Sequence, residues 1–419
     1  MIQTLPSAAV LGARAFAALQ GLARFTDEPG KLTRLYLSPA HRQAAEWVKG
    51  AMEVAGLEAE IDAAGSVQGR RAGARPDLPS VMIGSHIDTV KDGGRYDGNL
   101  GVVAGILAAQ ALRDAGVVLP FTLEVVAFGD EENVRFPTHL STSQALAGTY
   151  DRAWLETRDE NGVPLRDALT AFRGDPDGIA ALARPAGSIA AYLELHIEQG
   201  PVLEAEDEAV GIVTAINAQN RGRARVTGVA GHAGTVPMAL RRDALTAAAE
   251  MALAVEAIAS AHDNAVATIG TFRPEPGATN VVPGAVEFSL DFRSPSNDTV
   301  AAMRTEIERR LHEIAARRTV EVAMTIYARS DAVPMDPGLQ DAFAAGIART
   351  GANLSARRLP SGAGHDAMAM AAIAPSAMIF VRNEKGISHS PLESMTEADA
   401  GIAIRVMLET VLELAERMR

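Results

Sequence analysis

The sequence predicts an α/β fold with a mostly parallel β-sheet and a smaller α+β domain inserted into it. In the first and last thirds of the chain, apolar strands alternate with helices, which is typical of parallel β-α units. In the middle, strands of alternating polarity and two long helices form a region of about 100 residues, a usual size for one domain. We therefore expect a main domain over residues 1–215 and 331–419 and an inserted domain over residues 216–330.

The elements of the main domain are predicted from apolar runs and from residues that favour helix ends. Ser38 and Pro39 are typical of a helix start, with serine as N-cap and proline at the first helical position. Polar residues collect directly after the strand ends, where ligands sit in open α/β sheets. The predicted helices are 7–22, one from Pro39 that ends before Gly56, 100–112 and one from Thr396; the predicted strands are 57–61, 79–84, 121–128 and 377–381.

The inserted domain contains one strand whose two faces differ in polarity. Over residues 286–293 apolar and polar side chains strictly alternate, so that Phe288 and Phe292 share one face while Asp291 and Arg293 share the other. This pattern indicates a sheet with one buried face. The other predicted elements of this domain are the strands 221–227 and 320–326 and the helices 243–261 and 300–316.

Composition excludes several classes of function. The 419 residues include 39 Lys and Arg against 52 Asp and Glu, a net charge of −13, which argues against a nucleic-acid partner. The absence of cysteine excludes disulfides, thiolate zinc sites and a cysteine nucleophile, and it is compatible with the cytoplasmic location that we expect. The longest apolar stretch, residues 367–381, is shorter than the ~20 residues that a membrane span needs, so no membrane partner is expected.

Two of the nine histidines lie in motifs that follow predicted strands and carry carboxylates nearby. In GSHIDTV, His86 is followed by Asp88, and a carboxylate beside an imidazole is the usual means of orienting a metal-bound histidine. In GGRYDG, Asp97 stands in a glycine turn before a helix. His196 follows another strand in LHIEQG. Each motif taken alone is also typical of a surface loop or of a structural histidine.

Glu131 and Glu132 are adjacent at a strand end, which by itself is also typical of a solvated turn. Because successive residues project in different directions, Glu132 can bind a metal while Glu131 faces the attacking water. Glu131 would then be the general base and would return the proton to the leaving nitrogen. With His389 of GISHSP, the candidate set of oxygen and nitrogen ligands for two divalent metals is complete: His86, Asp97, Glu132, His196 and His389. Zinc, manganese, cobalt and nickel all suit such a set.

These motifs occur in an order that resembles the hydantoinase/carbamoylase family of amidases, within the M20 peptidase clan. The resemblance extends from about residue 30 to the end of the chain and is carried by the segments GSHIDTV, GGRYDGNLGVVAG, GDEENVRF, LHIEQGPVLE, GHAGTVPM, NVVPG, DFR, SGAGHDA and GISHSP. It implies an aminopeptidase-like catalytic domain that binds two metals. It also implies that residues 216–330 form a lid and dimerisation domain, and that the protein is a homodimer.

The resemblance also implies roles for individual residues. Asp97 would bridge the two metals, with Glu132 and His389 on one metal and His86 and His196 on the other. Glu131 resembles the general base of the family. His232 of GHAGT resembles a residue that reaches the active site of the partner subunit and stabilises the oxyanion; the alternative is a loop that caps the following helix.

Substrate binding is implied for five positions, of which Arg293 of DFR resembles the residue that binds the substrate carboxylate. An arginine can hold a carboxylate through two hydrogen bonds. Asp291 could hold its guanidinium in place; the alternative is that the two form only a surface ion pair. The other implied positions are Arg221, Asn280, Gly364 and Gln199.

The chain departs from the family pattern at Asn133, where glycine usually follows the glutamate pair, and at Ser66, which stands for a common asparagine. Asparagine tolerates left-handed backbone geometry, so we expect the turn at Asn133 to be preserved. His365, beside Gly364, is a candidate neighbour of the metal ligands.

The leading hypothesis is a metal-dependent amidohydrolase that cleaves the ureido (N-carbamoyl) C–N bond of a small carboxylate. Both an N-carbamoyl-L-amino acid and allantoate would release ammonia and carbon dioxide, and allantoate would in addition leave a ureido product. One alternative is an M20-type dipeptidase or N-acyl-amino-acid deacylase on the same fold. A non-catalytic binding protein is the other alternative, which an intact Glu131 and ligand set disfavour.

Overall fold

The computed structural model describes residues 5–351 and 354–419, and the chain divides into two compact units. The first comprises the chain up to Thr214 together with Met335–Leu359 and Gly364–Arg419. The second comprises Ala215–Pro334 and Pro360–Ala363. Within the described residues, no helix combines the length and the apolar character needed to cross a membrane.

The helices and strands are numbered in chain order. The helices are α1 Ala8–Leu22, α2 Pro39–Val54, α3 Asn99–Asp114, α4 Ser141–Ala147, α5 Leu165–Ala171, α6 Val202–Ala205, α7 Ala244–Ser260, α8 Asn297–Arg318, α9 Pro337–Arg349, α10 Ala367–Met370 and α11 Glu397–Arg417. The strands are β1 Glu58–Ile61, β2 Val67–Arg71, β3 Ser80–His86, β4 Leu123–Phe128, β5 Ile189–Ile197, β6 Val210–Ile216, β7 Ala218–Thr227, β8 Gly231–His232, β9 Val266–Thr268, β10 Phe272–Glu275, β11 Val281–Val282, β12 Ala285–Ser294, β13 Glu321–Ser330, β14 Val333–Pro334, β15 Arg358–Ser361 and β16 Ser376–Val381.

The sheet of the first unit has the order β1-β2-β4-β3-β5-β16-β6. Its central strands β4, β3, β5 and β16 are parallel, whereas β2 pairs with β4 and β6 pairs with β16 in the antiparallel sense. All residues of β3, β4 and β16 are buried, as expected for strands covered on both faces. The predicted α/β fold class is thus confirmed, and the parallel strands end at one common edge.

The second unit contains an antiparallel sheet with the strand order β10-β12-β7-β13, and β9 also pairs with β12. The alternation predicted for β12 is confirmed, because Phe288 and Phe292 are buried whereas Asp291 and Arg293 are half-buried. The buried face packs with residues of α7 and α8 into a core that includes Met251.

Capping side chains explain where α2 and α8 begin. The hydroxyl of Ser38 accepts the backbone N–H of His41 at 3.1 Å, so α2 begins at the predicted proline. In α8 the hydroxyl of Ser296 accepts the N–H of Thr299 at 3.2 Å, and this cap starts the helix at Asn297, before the predicted residue 300.

Candidate metal centre

Six predicted site residues converge where the parallel strands of the first unit end. Three overlapping groups of side chains have candidate ligand atoms within 4.8 Å of one another. The first group is His86, Asp97 and His196, the second is His86, Glu131 and Glu132, and the third is Asp97, Glu132 and His389. The five predicted ligands and the predicted base therefore lie in one cluster, although they are spread over about three quarters of the chain.

The two carboxylate oxygens of Asp97 face different histidines. Oδ1 lies 3.1 Å from Nε2 of His196 and 3.5 Å from Nε2 of His86, whereas Oδ2 lies 3.5 Å from Nε2 of His389. His389 Nε2 is in turn 3.4 Å from Oε2 of Glu132. The two oxygens of Asp97 therefore face two different groups of candidate metal ligands.

The turn that carries Asp97 requires a glycine at the next position. Gly98 has φ +64°, and a Cβ atom there would lie 2.3 Å from Nε2 of His86. Any side chain would therefore collide with the imidazole, and the left-handed backbone would also be strained. The glycine lets α3 begin directly beside the histidine.

The carboxylate and backbone of Asp97 are held by three residues distant in the chain. Oδ2 accepts hydrogen bonds from Ser388 Oγ at 2.6 Å and from Gln199 Nε2 at 2.8 Å. Oε1 of Glu393 accepts the backbone N–H groups of Tyr96 and Asp97 at 2.8 and 3.2 Å. The structure thus places the side-chain amide of Gln199, predicted as a substrate contact, against Asp97.

Asp88 connects His86 to the glutamate pair. Its Oδ1 lies 3.5 Å from Nδ1 of His86 and accepts the N–H of Glu131 at 3.2 Å, while Oδ2 accepts the N–H of Glu132 at 3.1 Å. The strand ends at His86, so a turn and not continued strand alternation brings Asp88 back to the imidazole. The predicted pairing of His86 with Asp88 is therefore present, formed by the turn that follows the strand.

Asn133 adopts φ +54°, so the turn predicted to be preserved without glycine is present. Its side chain also forms hydrogen bonds that glycine could not form. Nδ2 donates to the carbonyl oxygen of Glu131 at 2.5 Å, and Oδ1 accepts the N–H of Leu140 at 3.1 Å. The Asn133 side chain thereby holds the backbone of the loop that carries the glutamate pair.

The cluster concentrates charge in a buried place and shifts the pKa values of its members. Burial raises the pKa of Glu131 well above its ordinary value, and repulsion from Glu132 adds to this, although His86 acts in the opposite direction. Burial and the charge of Asp97 likewise raise the pKa of Glu132. Burial also raises the pKa of Asp97, but hydrogen bonds with His196 and His86 outweigh it and hold the value well below the ordinary range.

The donor set fits a divalent metal ion. Its atoms are imidazole nitrogens and carboxylate oxygens, which suit zinc and the neighbouring transition metals. Burial is the main cause of the raised pKa values of the two glutamates, and a cation held there would offset the repulsion among the carboxylates that adds to it. His86, Asp97 and His196 are buried, whereas the side chain of His389 is 53% exposed.

Sequence reasoning missed Glu393, which is buried and supports the Asp97 turn. No motif marks it, and its contacts join parts of the chain 297 positions apart. Ser388 could have been found, because it precedes His389 in a motif that was singled out. His365 is buried, and its ring centroid lies 4.5 Å from that of His196 in an edge-on contact. It is therefore a neighbour of a candidate metal ligand, as expected.

The other predicted site residues, except Gln199 and Gly364, lie in the second unit. Asp291 accepts two hydrogen bonds from Arg293, at 2.9 and 2.8 Å, and one from Nε of Arg221 at 3.1 Å. Nη1 of Arg293 donates to the carbonyl oxygen of Gly362 at 2.6 Å. The two predicted arginines therefore meet at one aspartate, in a groove of about 610 Å³.

His232 and Asn280 are also brought together. The strand β8, which contains His232, pairs with β11, and the N–H of Ala233 donates to the carbonyl oxygen of Asn280 at 3.0 Å. Both residues are exposed. Gly364 lies in the first unit, next to His365.

Comparisons with known proteins match most of the chain. Residues 82–413 match the family described as Peptidase family M20/M25/M40. The N-carbamoyl-L-amino acid amidohydrolase of Geobacillus stearothermophilus is 38% identical over 97% of this chain and 99% of its own length. The allantoate deiminase of Arabidopsis thaliana is 36% identical over 96% of this chain and 82% of its own length.

Solved structures lead to the same family. A hydantoinase/carbamoylase family amidase from Burkholderia ambifaria is 37% identical, with a TM-score of 0.87 and coverage of 96% of both chains. A second such amidase, from Burkholderia multivorans, is 33% identical with a TM-score of 0.90, covering 96% of this chain and 98% of its own. The chain therefore belongs to Peptidase family M20/M25/M40, among its hydantoinase/carbamoylase amidases, and is a hydrolase of C–N bonds.

Proposed function

We propose that this protein is a metal-dependent amidohydrolase that cleaves the ureido C–N bond of a small carboxylate, such as an N-carbamoyl-L-amino acid or allantoate. The observation that carries the proposal is the position of Asp97, whose two oxygens face separate histidines beside the Glu131–Glu132 pair. The names of the relatives support the class of substrate, since they include N-carbamoyl-L-amino acid amidohydrolases and allantoate deiminases.

Two divalent ions would be held, one by His86, His196 and Asp97 and the other by Asp97, Glu132 and His389. Such ions act as Lewis acids and lower the pKa of water at the site. Zinc or manganese is the expected metal, and cobalt or nickel would also suit the ligands. The exposed side chain of His389 gives this part of the cluster access to solvent.

Glu131 is proposed as the general base. Burial raises its pKa, and a raised pKa makes the carboxylate a stronger acceptor for the proton of the attacking water. The same carboxyl group would then deliver the proton to the leaving nitrogen. Asp88 supports this role, because its bond to the backbone of Glu131 fixes where that side chain starts.

Arg293 and Arg221 are proposed to bind the substrate carboxylate. The two guanidinium groups share the single negative charge of Asp291, so these three side chains together keep a net positive charge that would attract an anion. Asn280 and Gly364 are proposed as further substrate contacts. The groove beside the arginines is lined by polar side chains including Thr268 and Ser289.

His232 is proposed to act in the active site of the partner subunit of a homodimer, where it would stabilise the oxyanion. The test is to mix two inactive variants, Glu131→Gln and His232→Ala, after dissociation and reassociation. If the proposal is correct, activity reappears in the mixture, because one site of each mixed dimer has both residues intact. An inactive mixture with confirmed subunit exchange would contradict it.

The substrate is tested with a panel of allantoate, N-carbamoyl-L- and D-amino acids, N-acetyl amino acids and dipeptides. Release of ammonia from one of the first two classes, absent with Glu131→Gln, is the expected result. Release of free amino acid from N-acetyl compounds or dipeptides alone would replace the proposal by a deacylase or dipeptidase. The comparison of allantoate with N-carbamoyl amino acids identifies the substrate within the proposed class.

A further inference from the structure

Arg34 is a fully buried arginine in the first unit, with 0% of its surface exposed. Among the described residues, no carboxylate forms an ion pair with its guanidinium. A buried charge is costly unless hydrogen bonds and nearby opposite charge compensate it. An arginine kept in such a place therefore calls for a specific explanation.

The guanidinium forms hydrogen bonds to four oxygens. Nε donates to the carbonyl oxygen of Ile87 at 2.6 Å, and Nη2 donates to Oδ1 of Asn99 at 2.5 Å. Nη1 donates to the carbonyl oxygens of Leu22 and Phe25 at 2.9 and 3.2 Å, at the end of α1. One rigid planar group thus joins three separate segments of the chain.

Two of those segments carry metal-ligand candidates. Ile87 is the residue between His86 and Asp88, and Asn99 follows the Asp97 turn. Asn99 extends the contact further, because its Nδ2 donates to the carbonyl oxygen of Asp97 at 2.8 Å. The guanidinium therefore spans from the backbone next to His86 to the backbone of Asp97.

The backbone of Arg34 strengthens the same connection. Its N–H donates to Oγ1 of Thr89 at 2.9 Å, and the N–H of Thr89 donates back to the carbonyl oxygen of Arg34 at 3.0 Å. Burial lowers the pKa of Arg34 to about 10, while Asp88 and Asp27 act in the opposite direction. The group consequently keeps its positive charge at neutral pH, close to the acidic cluster.

We propose that Arg34 is a positioning residue for the metal centre, which fixes the separation between the His86 turn and the Asp97 turn through Ile87 and Asn99. This inference rests on the proposed function, in that it takes the cluster to hold metal. Lysine cannot replace Arg34, because an ammonium group has no planar fork that reaches both turns at once.

The test is Co²⁺ binding to the metal-free full chain, followed by the visible absorption of the bound ion, which reports its ligand geometry. Arg34→Lys keeps the positive charge but replaces the planar guanidinium, with its several N–H donors, by an ammonium group. We expect its Co²⁺ dissociation constant to rise by roughly 10- to 100-fold, the usual effect of losing a residue that orients metal ligands, and its absorption bands to shift. The matched control is Arg71→Lys, since Arg71 is partly buried and donates to one carbonyl, that of Ala109, at 3.0 Å. The control should leave both Co²⁺ readouts unchanged.

A second variant covers the case in which Arg34→Lys does not fold. Asn99→Asp keeps the acceptor for Arg34 but removes the donor to the Asp97 carbonyl, in nearly the same volume. It should also shift the Co²⁺ bands. Wild-type Co²⁺ affinity and absorption in either folded variant would overturn the proposed role of Arg34 and leave the proposed metal centre standing. A wild-type chain that binds no Co²⁺ would overturn the proposed metal centre, and this inference with it.

Discussion

Oδ1 of Asp88 accepts the backbone N–H of Glu131 at 3.2 Å, although the two residues are 43 positions apart. The same oxygen lies 3.5 Å from Nδ1 of His86. The carbonyl oxygen of Asp88 lies nearer to that nitrogen, at 3.1 Å, so Asp88 orients the imidazole through both its backbone and its carboxylate. The carboxylate also holds the loop that carries the proposed base. Burial raises the pKa of Asp88, but its contacts with His86 and the two backbone N–H groups outweigh this, so the pKa is lowered and the group stays ionised.

Asp88→Asn should weaken metal binding. An asparagine keeps one acceptor but turns an NH₂ group toward the backbone N–H of either Glu131 or Glu132, so one hydrogen bond becomes a repulsive contact. We expect the metal dissociation constant to rise by about 10- to 100-fold, measured by competition with a chromogenic chelator. Asp77→Asn, at an exposed position that pairs with Arg75, is the matched control. Equal affinity in both variants would show that Asp88 does not orient His86.

Glu131→Gln should abolish turnover while leaving metal binding intact. The amide cannot accept the proton from water, and general-base contributions amount to about 10²- to 10⁴-fold in rate. Metal content by mass spectrometry and kcat for ammonia release are measured on the same preparation. Turnover at the wild-type level would show that another group is the base.

His389→Ala should reduce the bound metal from two ions to one per subunit. His389 contacts Asp97 and Glu132, whereas the other position keeps His86 and His196. Since its side chain is 53% exposed, its removal should not disturb folding. Metal analysis after dialysis reports the stoichiometry, with His312→Ala on the exposed face of α8 as the control. Two ions retained per subunit would contradict the assignment.

Arg293→Lys should raise KM with little effect on kcat, because lysine cannot bind a carboxylate through two parallel hydrogen bonds. Loss of one charge-assisted hydrogen bond corresponds to a rise of roughly 10- to 100-fold in KM. Arg225→Lys is the control, since Arg225 lies on the same face of β7 as Arg221 and pairs with Glu275. An unchanged KM in Arg293→Lys would favour the alternative of a purely structural ion pair with Asp291.

His41→Asn should make folding less sensitive to acid. Burial lowers the pKa of His41 from 6.5 to about 3, and its Nδ1 accepts the N–H of Leu37 at 3.0 Å. The unfolded chain binds a proton at this residue below pH 6.5 while the folded chain does not, so stability is lost as the pH falls from 6.5 towards 3. Between pH 7 and 5 the wild-type chain should lose about 2 kcal/mol more than the variant, which cannot titrate. Urea unfolding at both pH values measures the difference, and identical losses would show that His41 is not held neutral.

The ligand cluster could be predicted from sequence because each member follows a recognisable strand or glycine turn. His86 ends β3 and His196 lies at the end of β5, and parallel strands bring such positions to one edge. The contacts of Glu393 and Gln199 with the Asp97 turn could not be predicted, since they join segments far apart in the chain. Such contacts depend on the packing of loops, for which a single sequence has no periodic signal.

The main elements of the fold were predicted for similar reasons. The buried runs of β3, β4 and β16 and the alternation of β12 are strong local patterns. By contrast, β2 and β6 were not predicted, and neither was the antiparallel pairing that they add beside the parallel centre. Which strands become neighbours is decided by tertiary packing, and the sequence between them does not encode it locally.

The left-handed turn at Asn133 has a consequence for rigidity. Glycine at this point would leave the unfolded chain more conformational freedom to surrender on folding, and it would have no side-chain atoms with which to bind Leu140. The asparagine side chain instead connects the backbone of Glu131 to the backbone of Leu140 through two hydrogen bonds. The asparagine therefore restrains the backbone of Glu131, the proposed general base, and with it the position from which that carboxyl group would reach the attacking water.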